Sequence, residues 1–221
     1  MRNGRVTAPS PKRIADLDVV AGHVYYGTFP TPRPAIYVTC VREPRAQRIS
    51  GIIYVEARRF RGRTRADVAA DVSRQLEAAT GFHANVAKRI GGGAPTCGQY
   101  KSPQEACLKA SAARAVQALD EVFAVVGLTE RYETFYAMLA ALLPAAPANF
   151  WKREVARREN PSVKSTAAVL ALLSPRASAA LDRALRYERT IYEAAVVVHD
   201  RRCVEHLGSA RCAARGGRAP R

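Results

Sequence analysis

Apolar residues along the chain form two kinds of pattern, which predict strands and helices. Ile36 to Val41 and Val122 to Leu128 are continuous runs rich in β-branched residues, with polar residues around them. Such runs are typical of buried strands. A shorter apolar stretch, Val19 to Val24, contains Gly22-His23 and predicts an earlier strand that ends near His23.

Elsewhere apolar residues recur at the three- and four-residue spacing of amphipathic helices. The predicted helices cover residues 46–60, 65–80, 102–121, 129–143 and 174–200. Arg42-Glu43-Pro44 precedes the first, Gly81 ends the second, Ser102-Pro103 and Ser174-Pro175 open the third and the last, and Thr129 caps the fourth. The expected apolar faces contain Val68, Val72 and Leu76 in the second helix, Phe135, Leu139 and Leu142 in the fourth, and Leu181, Leu185, Tyr192 and Val196 in the last. Strands that alternate with helices predict an α/β fold with a largely parallel sheet.

Three segments lack this periodicity. Residues 1–18 predict a flexible basic lead-in, residues 144–165 a basic surface loop, and residues 201–221 a basic C-terminal tail. The length of 221 residues suits one sizeable core rather than several domains. We therefore expect one domain over residues 19–200.

The charge balance adds an expectation about partners. Lys and Arg number 35 against 19 Asp and Glu, which gives a formal net charge of +16. This charge favours polyanionic partners, and Arg, the main cation here, is the better bidentate ligand of phosphate, sulfate and carboxylate. The alternative is that an Ala- and Arg-rich composition reflects codon bias.

The sequence argues against several classes of protein. No apolar stretch reaches the roughly 20 residues of a membrane helix, because Phe135 to Trp151 is interrupted by Pro144 and Pro147. Five cysteines without paired C-x-x-C spacing argue against a disulfide scaffold and against a zinc site. Cys97 and Cys107 flank a segment with Gly and Pro, and are either a small closed loop or two ordinary thiols.

Candidate chemistry lies at the carboxyl ends of the predicted strands, where open parallel sheets bind ligands. Arg42 directly follows one strand, and Ser50 lies eight residues later in the next helix. We expect the guanidinium and the hydroxyl to converge on one phosphate near the helix N-terminus. His23 follows a glycine at a strand end and is the usual type of general base for a sugar hydroxyl. The alternatives are a surface salt bridge, a solvated hydroxyl and a histidine without catalytic duty.

Taken in order, these elements resemble the sulfotransferases, most closely the heparan sulfate and uronyl 2-O-sulfotransferases. In that family a GHV-type segment, a strand running into R-D-P, a Ser in the next helix and V-G-[VL]-T-E before a helix follow one another. The matching residues here are Gly22-His23-Val24-Tyr25-Tyr26, Arg42-Glu43-Pro44, Ser50 and Val125-Val126-Gly127-Leu128-Thr129-Glu130. The resemblance spans roughly residues 19–200, and the order and spacing of its short motifs are its specific part.

The resemblance implies a P-loop-kinase-like parallel sheet flanked by helices. It also implies transfer of a sulfuryl group from 3′-phosphoadenosine 5′-phosphosulfate (PAPS), without a metal, to a uronic-acid hydroxyl of a glycosaminoglycan-like chain. His23 matches the catalytic base, and Arg42 and Ser50 match the pair that holds the 3′-phosphate of the cofactor. Cys97 and Cys107 match a disulfide-closed loop. Family members reside in the Golgi lumen or membrane, and some form homo-oligomers.

An arginine-rich segment is a candidate for binding the acidic acceptor. Arg58, Arg59 and Arg61 lie close together, and Arg63 and Arg65 extend the strip. A strip of this kind suits a polysulfated chain, and the alternative is an ordinary solvated face.

The chain departs from the family pattern in three places. The family begins its domain with a strand and a Lys-containing loop that wraps the 5′-phosphosulfate, and no counterpart precedes His23. Where the family has an Arg three residues after the Pro, this chain has Gln47, with Arg48 one place later. The membrane anchor of the family is also missing. These departures predict an N-terminally truncated domain, a fragment or a relative that has lost activity.

Two other functions fit parts of the sequence. A non-catalytic module that binds glycosaminoglycan or RNA through arginines needs neither His23 nor the pair of Arg42 and Ser50. A nucleotide kinase of the same sheet architecture is disfavoured, because no G-x-x-x-x-G-K-[ST] loop is present.

Overall fold

A computed structural model of the chain describes residues 35–79, 85–91, 105–143 and 162–216. Two strands, β1 (Tyr37–Val41) and β2 (Phe123–Leu128), form its sheet. The helices of the described residues are α1 (Pro44–Val55), α2 (Arg65–Ala78), α3 (Asn85–Ile90), α4 (Glu105–Glu121), α5 (Tyr132–Leu142), α6 (Ser162–Ala171), α7 (Pro175–Ala184), α8 (Arg186–Leu207) and α9 (Ser209–Gly216).

The two strands lie side by side and run parallel, with Thr39 opposite Val126 and Val41 opposite Leu128. Both strands were predicted from their continuous apolar runs and are confirmed. Their expected burial is confirmed for β2 only, because Val38 and Cys40 of β1 are exposed within the described residues. Parallel neighbours need a long crossover connection, and α1 to α4 lie in the chain between them. The described residues are mostly helical with a small parallel sheet, which is compatible with the α/β class. The P-loop-kinase-like arrangement stays a prediction.

Helix α1 is shorter than the predicted helix over residues 46–60. It begins at Pro44 and ends at Val55, because turns follow and Gly62 takes a left-handed conformation with φ of 75°. Phe60 is nevertheless buried in the same cluster as Ile49. The burial of Phe60 explains why the predicted helix was too long. Phe60 continues the apolar spacing of α1, but it reaches the core from the turn that follows the helix.

Helix α2 matches its prediction closely. Thr64 caps its N-terminus by accepting a hydrogen bond from the backbone N–H of Asp67 at 3.2 Å. The residues predicted to share one face, Val68, Val72 and Leu76, are all buried. The 3.6-residue period therefore identified the correct face of this helix.

The predicted helical cap at Thr129 is wrong. Thr129 opens a single 3-10 turn, Thr129–Arg131, and α5 begins only at Tyr132. The Thr129 hydroxyl donates to Oε1 of Glu130 at 3.0 Å. As predicted, Phe135 lies on the buried face of α5, and its ring lies so close to Gly127 of β2 that any Cβ there would overlap it.

In the C-terminal third, two predictions are wrong and one is confirmed. Helix α6 begins at Ser162, inside the segment predicted to be a loop. The predicted single helix over residues 174–200 is two helices, which meet at Leu185. Leu185 packs in one apolar cluster and Ile191 in another, so one straight apolar stripe cannot serve both. Ser174 caps α7 as predicted, by accepting from the backbone N–H of Ala177 at 3.0 Å.

Residues 201–216 are helical rather than an extended tail. Helix α8 continues to Leu207, and α9 follows directly at Ser209. A disulfide between Cys203 and Cys212 joins the two helices. This disulfide was not predicted from the sequence, because the short turn between α8 and α9 that brings the two cysteines together was not expected.

Helix α8 also covers the edge of β2 that faces away from β1. Nδ1 of His199 donates to the carbonyl oxygen of Val126 at 2.8 Å, and Nε2 of His206 donates to that of Ala124 at 3.1 Å. The two histidines are seven residues apart, so they lie on one face of the helix. They satisfy strand carbonyls that a third strand would otherwise bond.

Three apolar clusters make up the core of the described residues. The first joins the sheet to α3, α4 and α8. The second joins α1, α2, α6 and α7. The third lies between β2, α5 and the end of α8. Among the described residues, no helix is both long enough and apolar enough to cross a membrane.

Candidate functional site

The carboxyl ends of the two strands meet at one edge of the sheet. Val41 and Leu128 are paired, so the residues that follow them, Arg42-Glu43 and Thr129-Glu130, come together there. We call this region the carboxyl edge. It is the place where open parallel sheets bind ligands.

Glu43 occupies the N-terminus of α1. Its carboxylate accepts from the backbone N–H of Arg45 at 2.9 Å and from that of Ala46 at 2.7 Å. Pro44 is the first helical residue and has no N–H to satisfy. A side chain of the protein therefore already binds two of the amides at this helix N-terminus. The phosphate expected near it between Arg42 and Ser50 stays a prediction.

Glu130 binds donors from three separate segments. Its Oε1 accepts from the backbone N–H of Glu43 at 2.9 Å and from the hydroxyl of Thr129 at 3.0 Å. Its Oε2 accepts from the hydroxyl of Tyr192, on α8, at 3.3 Å. Burial, together with the carboxylate of Glu130, raises the pKa of Tyr192, so its hydroxyl remains a donor.

Arg42 and Ser50 are both half-buried. Within the described residues, the Arg42 guanidinium has no ion-pair or hydrogen-bond partner, and neither does the hydroxyl of Ser50. Ser50 lies six residues beyond Pro44, or about 9 Å along the axis of α1. The two groups do not contact each other, and an anion would have to bridge them.

Arg48 does not join this pair. It is half-buried, and desolvation lowers the pKa of its guanidinium. Arg48 and Ser50 are two residues apart in α1, which corresponds to about 200° around the helix axis. The two side chains therefore project from opposite sides of the helix.

A small cavity of about 140 Å³ adjoins the carboxyl edge. Arg45, in its wall, donates to the hydroxyl of Ser178 at 2.6 Å and lies 3.7 Å from a carboxylate oxygen of Asp182. Arg189, also in the wall, is exposed and has no ion pair among the described residues. The lining is completed by Glu43, Pro44 and Leu185.

The arginine strip divides into two groups. Arg59 pairs with Glu56 at 2.9 Å and with Asp71 at 3.3 Å. Arg63 and Arg74 also pair with Asp71, whose side chain is 3% exposed. We call Asp71 and its three arginines the Asp71 cluster.

The second group consists of arginines at the surface. Arg58, Arg61 and Arg65 are exposed, and none has an ion-pair partner within the described ranges. Of the predicted acceptor-binding residues, Arg58 and Arg61 are therefore available to a ligand, while Arg59 is held by two carboxylates.

Two predicted site residues lie outside the described residues. His23 is one of them, so its role as a base stays a prediction. Cys97 is the other. Cys107 is disulfide-bonded, and its pairing with Cys97 likewise stays a prediction.

Sequence reasoning missed two residues of the site. Glu130 ends the Val125–Glu130 motif, and its place directly after a strand was a usable signal. Tyr192 was assigned to the apolar stripe of α8, because helical spacing does not reveal that a tyrosine hydroxyl reaches a carboxylate. The described residues contain no group of three or more His, Cys, Asp or Glu side chains suited to a metal.

Comparisons of the chain with protein-family models, with curated proteins and with solved structures find no match.

Proposed function

We propose that this chain is a carbohydrate O-sulfotransferase domain that binds the 3′-phosphate of PAPS through Arg42 and Ser50. The observation that carries the proposal is the presence of two unpartnered polar side chains at and near the carboxyl edge. Arg42 and Ser50 are both half-buried and lack partners among the described residues. The two nearby carboxylates, Glu43 and Glu130, are engaged by backbone and hydroxyl donors instead.

A guanidinium in this state suits a phosphate. Burying a charge is costly unless an opposite charge or strong hydrogen bonds compensate it. Arg42 receives no such compensation from the described residues, so an incoming anion meets a cation with its donors unused. Charge-assisted bonds from Arg to phosphate are among the strongest in proteins.

The order of the elements supports the same function. The strand, the Arg-Glu-Pro turn and the Ser-bearing helix occur as the sulfotransferase resemblance implies. In the proposed reaction, the acceptor hydroxyl oxygen forms a bond to sulfur while the bond from sulfur to the phosphate oxygen of PAPS breaks. The hydroxyl proton passes to His23, and 3′-phosphoadenosine 5′-phosphate leaves. The P-loop-kinase-like sheet and the Golgi location belong to this proposal.

Arg58 and Arg61, with Arg65, supply a site for the acceptor. All three are exposed and without ion pairs in the described ranges. A uronic-acid chain carries carboxylates and sulfates, and several unpaired arginines favour such a polyanion.

Calorimetric titration with 3′-phosphoadenosine 5′-phosphate tests the nucleotide site. We expect saturable binding that Arg42→Ala weakens by about 1.5 to 3 kcal/mol, or roughly 10- to 150-fold, because a charge-assisted contact is lost. Ser50→Ala removes one neutral donor, so we expect a smaller loss, of about 1 kcal/mol.

Arg176→Ala is the matched control. Like Arg42, Arg176 lacks an ion pair among the described residues, but it is exposed and lies at the start of α7. Equal affinity of the Arg42→Ala and Arg176→Ala proteins would refute the assignment of Arg42, provided that thermal melts show both to be folded.

A second function, a non-catalytic polyanion-binding module, is favoured by the unpaired Arg58, Arg61 and Arg65. In that case heparin or an RNA oligonucleotide would bind with a steep dependence on salt. Binding would ignore Arg42→Ala and fall in a variant with all three arginines changed to Ala. The nucleotide would not bind at all.

A further inference from the structure

We propose that Glu130 is a positioning residue that keeps Arg42 available for the 3′-phosphate. The inference rests on the proposed function, since it assigns a role within the same site. Glu130 does not touch the nucleotide in this account. It acts on the connection between β1 and α1.

The contacts of Glu130 converge from three parts of the fold. One donor is the backbone N–H of Glu43, in the two-residue connection that also contains Arg42. The second is the hydroxyl of Thr129, at the end of β2. The third is the hydroxyl of Tyr192, on α8. One carboxylate thus ties the Arg42 connection to the neighbouring strand and to the longest helix described.

Glu130 bonds to the residue next to Arg42 but forms no ion pair with Arg42 itself. A carboxylate close to a guanidinium often forms an ion pair with it. Here both oxygens of Glu130 accept from uncharged donors at 2.9, 3.0 and 3.3 Å. Glu43, the other carboxylate at the edge, is similarly occupied at the N-terminus of α1.

Two effects of Glu130 on an incoming anion therefore oppose each other. Its negative charge repels a phosphate at Arg42, and its hydrogen bonds hold the connection in the conformation that presents Arg42. We infer that positioning outweighs repulsion. The two effects are separable, because Gln is isosteric with Glu and keeps one oxygen acceptor without the charge.

The test compares Glu130→Ala with Glu130→Gln in calorimetric titrations. Each variant is titrated with 3′-phosphoadenosine 5′-phosphate and with adenosine 5′-monophosphate, and the ratio of the two affinities reports the contribution of the 3′-phosphate. We expect Glu130→Ala to lower this ratio about tenfold, the size of one lost contact, and Glu130→Gln to keep it within about threefold of the wild type. A fold defect alone would weaken both nucleotides and leave the ratio unchanged.

Tighter binding by both variants would contradict the inference. If Glu130 acts only by repulsion, both variants will bind the bisphosphate more tightly than the wild type, and the inference is overturned. Glu121→Ala is the control, because it removes an exposed carboxylate at the end of α4, far along the chain from Arg42.

Hydrogen exchange separates this inference from the proposed function. In the wild type and in Glu130→Gln, the amide of Glu43 should exchange slowly, while Glu130→Ala should accelerate it. If the wild type binds neither nucleotide, the proposed function fails. Exchange of the Glu43 amide at the same rate in all three proteins would show instead that Glu130 does not position the connection.

Discussion

The carboxyl edge and the Asp71 cluster use the same residue types in opposite ways. In the Asp71 cluster, one buried carboxylate takes three guanidiniums, those of Arg59, Arg63 and Arg74. At the carboxyl edge, the carboxylates of Glu43 and Glu130 bind backbone and hydroxyl donors, and neither pairs with Arg42. The first region contains arginines bound by a carboxylate, and the second contains an arginine without a partner among the described residues.

The difference shows that an arginine's availability depends on what its neighbouring carboxylates bind. Backbone N–H groups and hydroxyls satisfy Glu43 and Glu130 without using a cation. Asp71, on the buried face of α2, binds guanidiniums instead of backbone N–H groups or hydroxyls among the described residues, and these cations compensate its charge. Counting arginines along the chain therefore overestimates the surface that can bind an anion.

The largest effect is expected from Asp71→Asn, which breaks the cluster. The change leaves three guanidiniums close together without their shared anion. Breaking a buried ion pair costs about 3 to 5 kcal/mol, and these arginines reach solvent, so we expect a loss of about 2 to 3 kcal/mol in the free energy of unfolding. Urea denaturation measures this loss. Glu193→Gln, an exposed carboxylate change on α8, should leave the midpoint unchanged.

The Glu43→Ala variant probes the carboxyl edge and should cost less. It removes the N-cap of α1, which stabilises proteins by about 1 kcal/mol. It also exposes the amides of Arg45 and Ala46, so inorganic sulfate should stabilise this variant more than it stabilises the wild type.

Thermal melts with and without sulfate check this expectation. Glu43→Gln is the matched control, since its amide oxygen can still accept from one of the two N–H groups. If sulfate raises the melting temperatures of all three proteins equally, Glu43 does not block an anion at the start of α1.

The smallest effect concerns pH and the far edge of β2. Burial lowers the pKa of His199, and the positive charge of Arg131 lowers it further. The hydrogen bond from His199 to the carbonyl of Val126 and the negative charge of Asp200 raise the pKa, but by less. The unfolded chain therefore binds a proton more readily than the folded one. Stability is fully present above the unfolded value near 6.5 and falls as the pH drops below it.

The titration of one histidine sets an upper limit on this loss in the free energy of unfolding. Between pH 7 and pH 6 it cannot exceed about 0.7 kcal/mol for one histidine. The matched variant is His199→Asn, which keeps a donor for the Val126 carbonyl but does not titrate. The wild type should lose stability relative to this variant on acidification, and parallel pH profiles for the two would exclude His199 as the cause.

Much of the local structure was predictable from the sequence. Both strands and helix α2 were identified from apolar runs and from a buried stripe at four-residue spacing. The position of Arg42 directly after a strand was also predictable, because the strand ends where its polar residues begin. These features depend on neighbours in the chain, which a sequence displays directly.

The errors came where one element packs against another. Leu185 separates α7 from α8 because the two helices pack into different clusters, and the spacing of apolar residues carries no information on that division. The disulfide of Cys203 with Cys212 depends on a turn between helices. The ion pair of Arg59 was not predicted for the same reason, since its partner Asp71 lies in the following helix, α2.

By itself, the sequence determined the strands, the helical faces and the order of residues that resembles a sulfotransferase. Only the tertiary structure decided which charged groups remain available. A carboxylate can bind a backbone N–H, a hydroxyl or a guanidinium, and the choice depends on which donors the fold brings within 3 Å of it. At Glu130 the fold brings a backbone N–H and two hydroxyls to the carboxylate, and none of the described carboxylates pairs with Arg42.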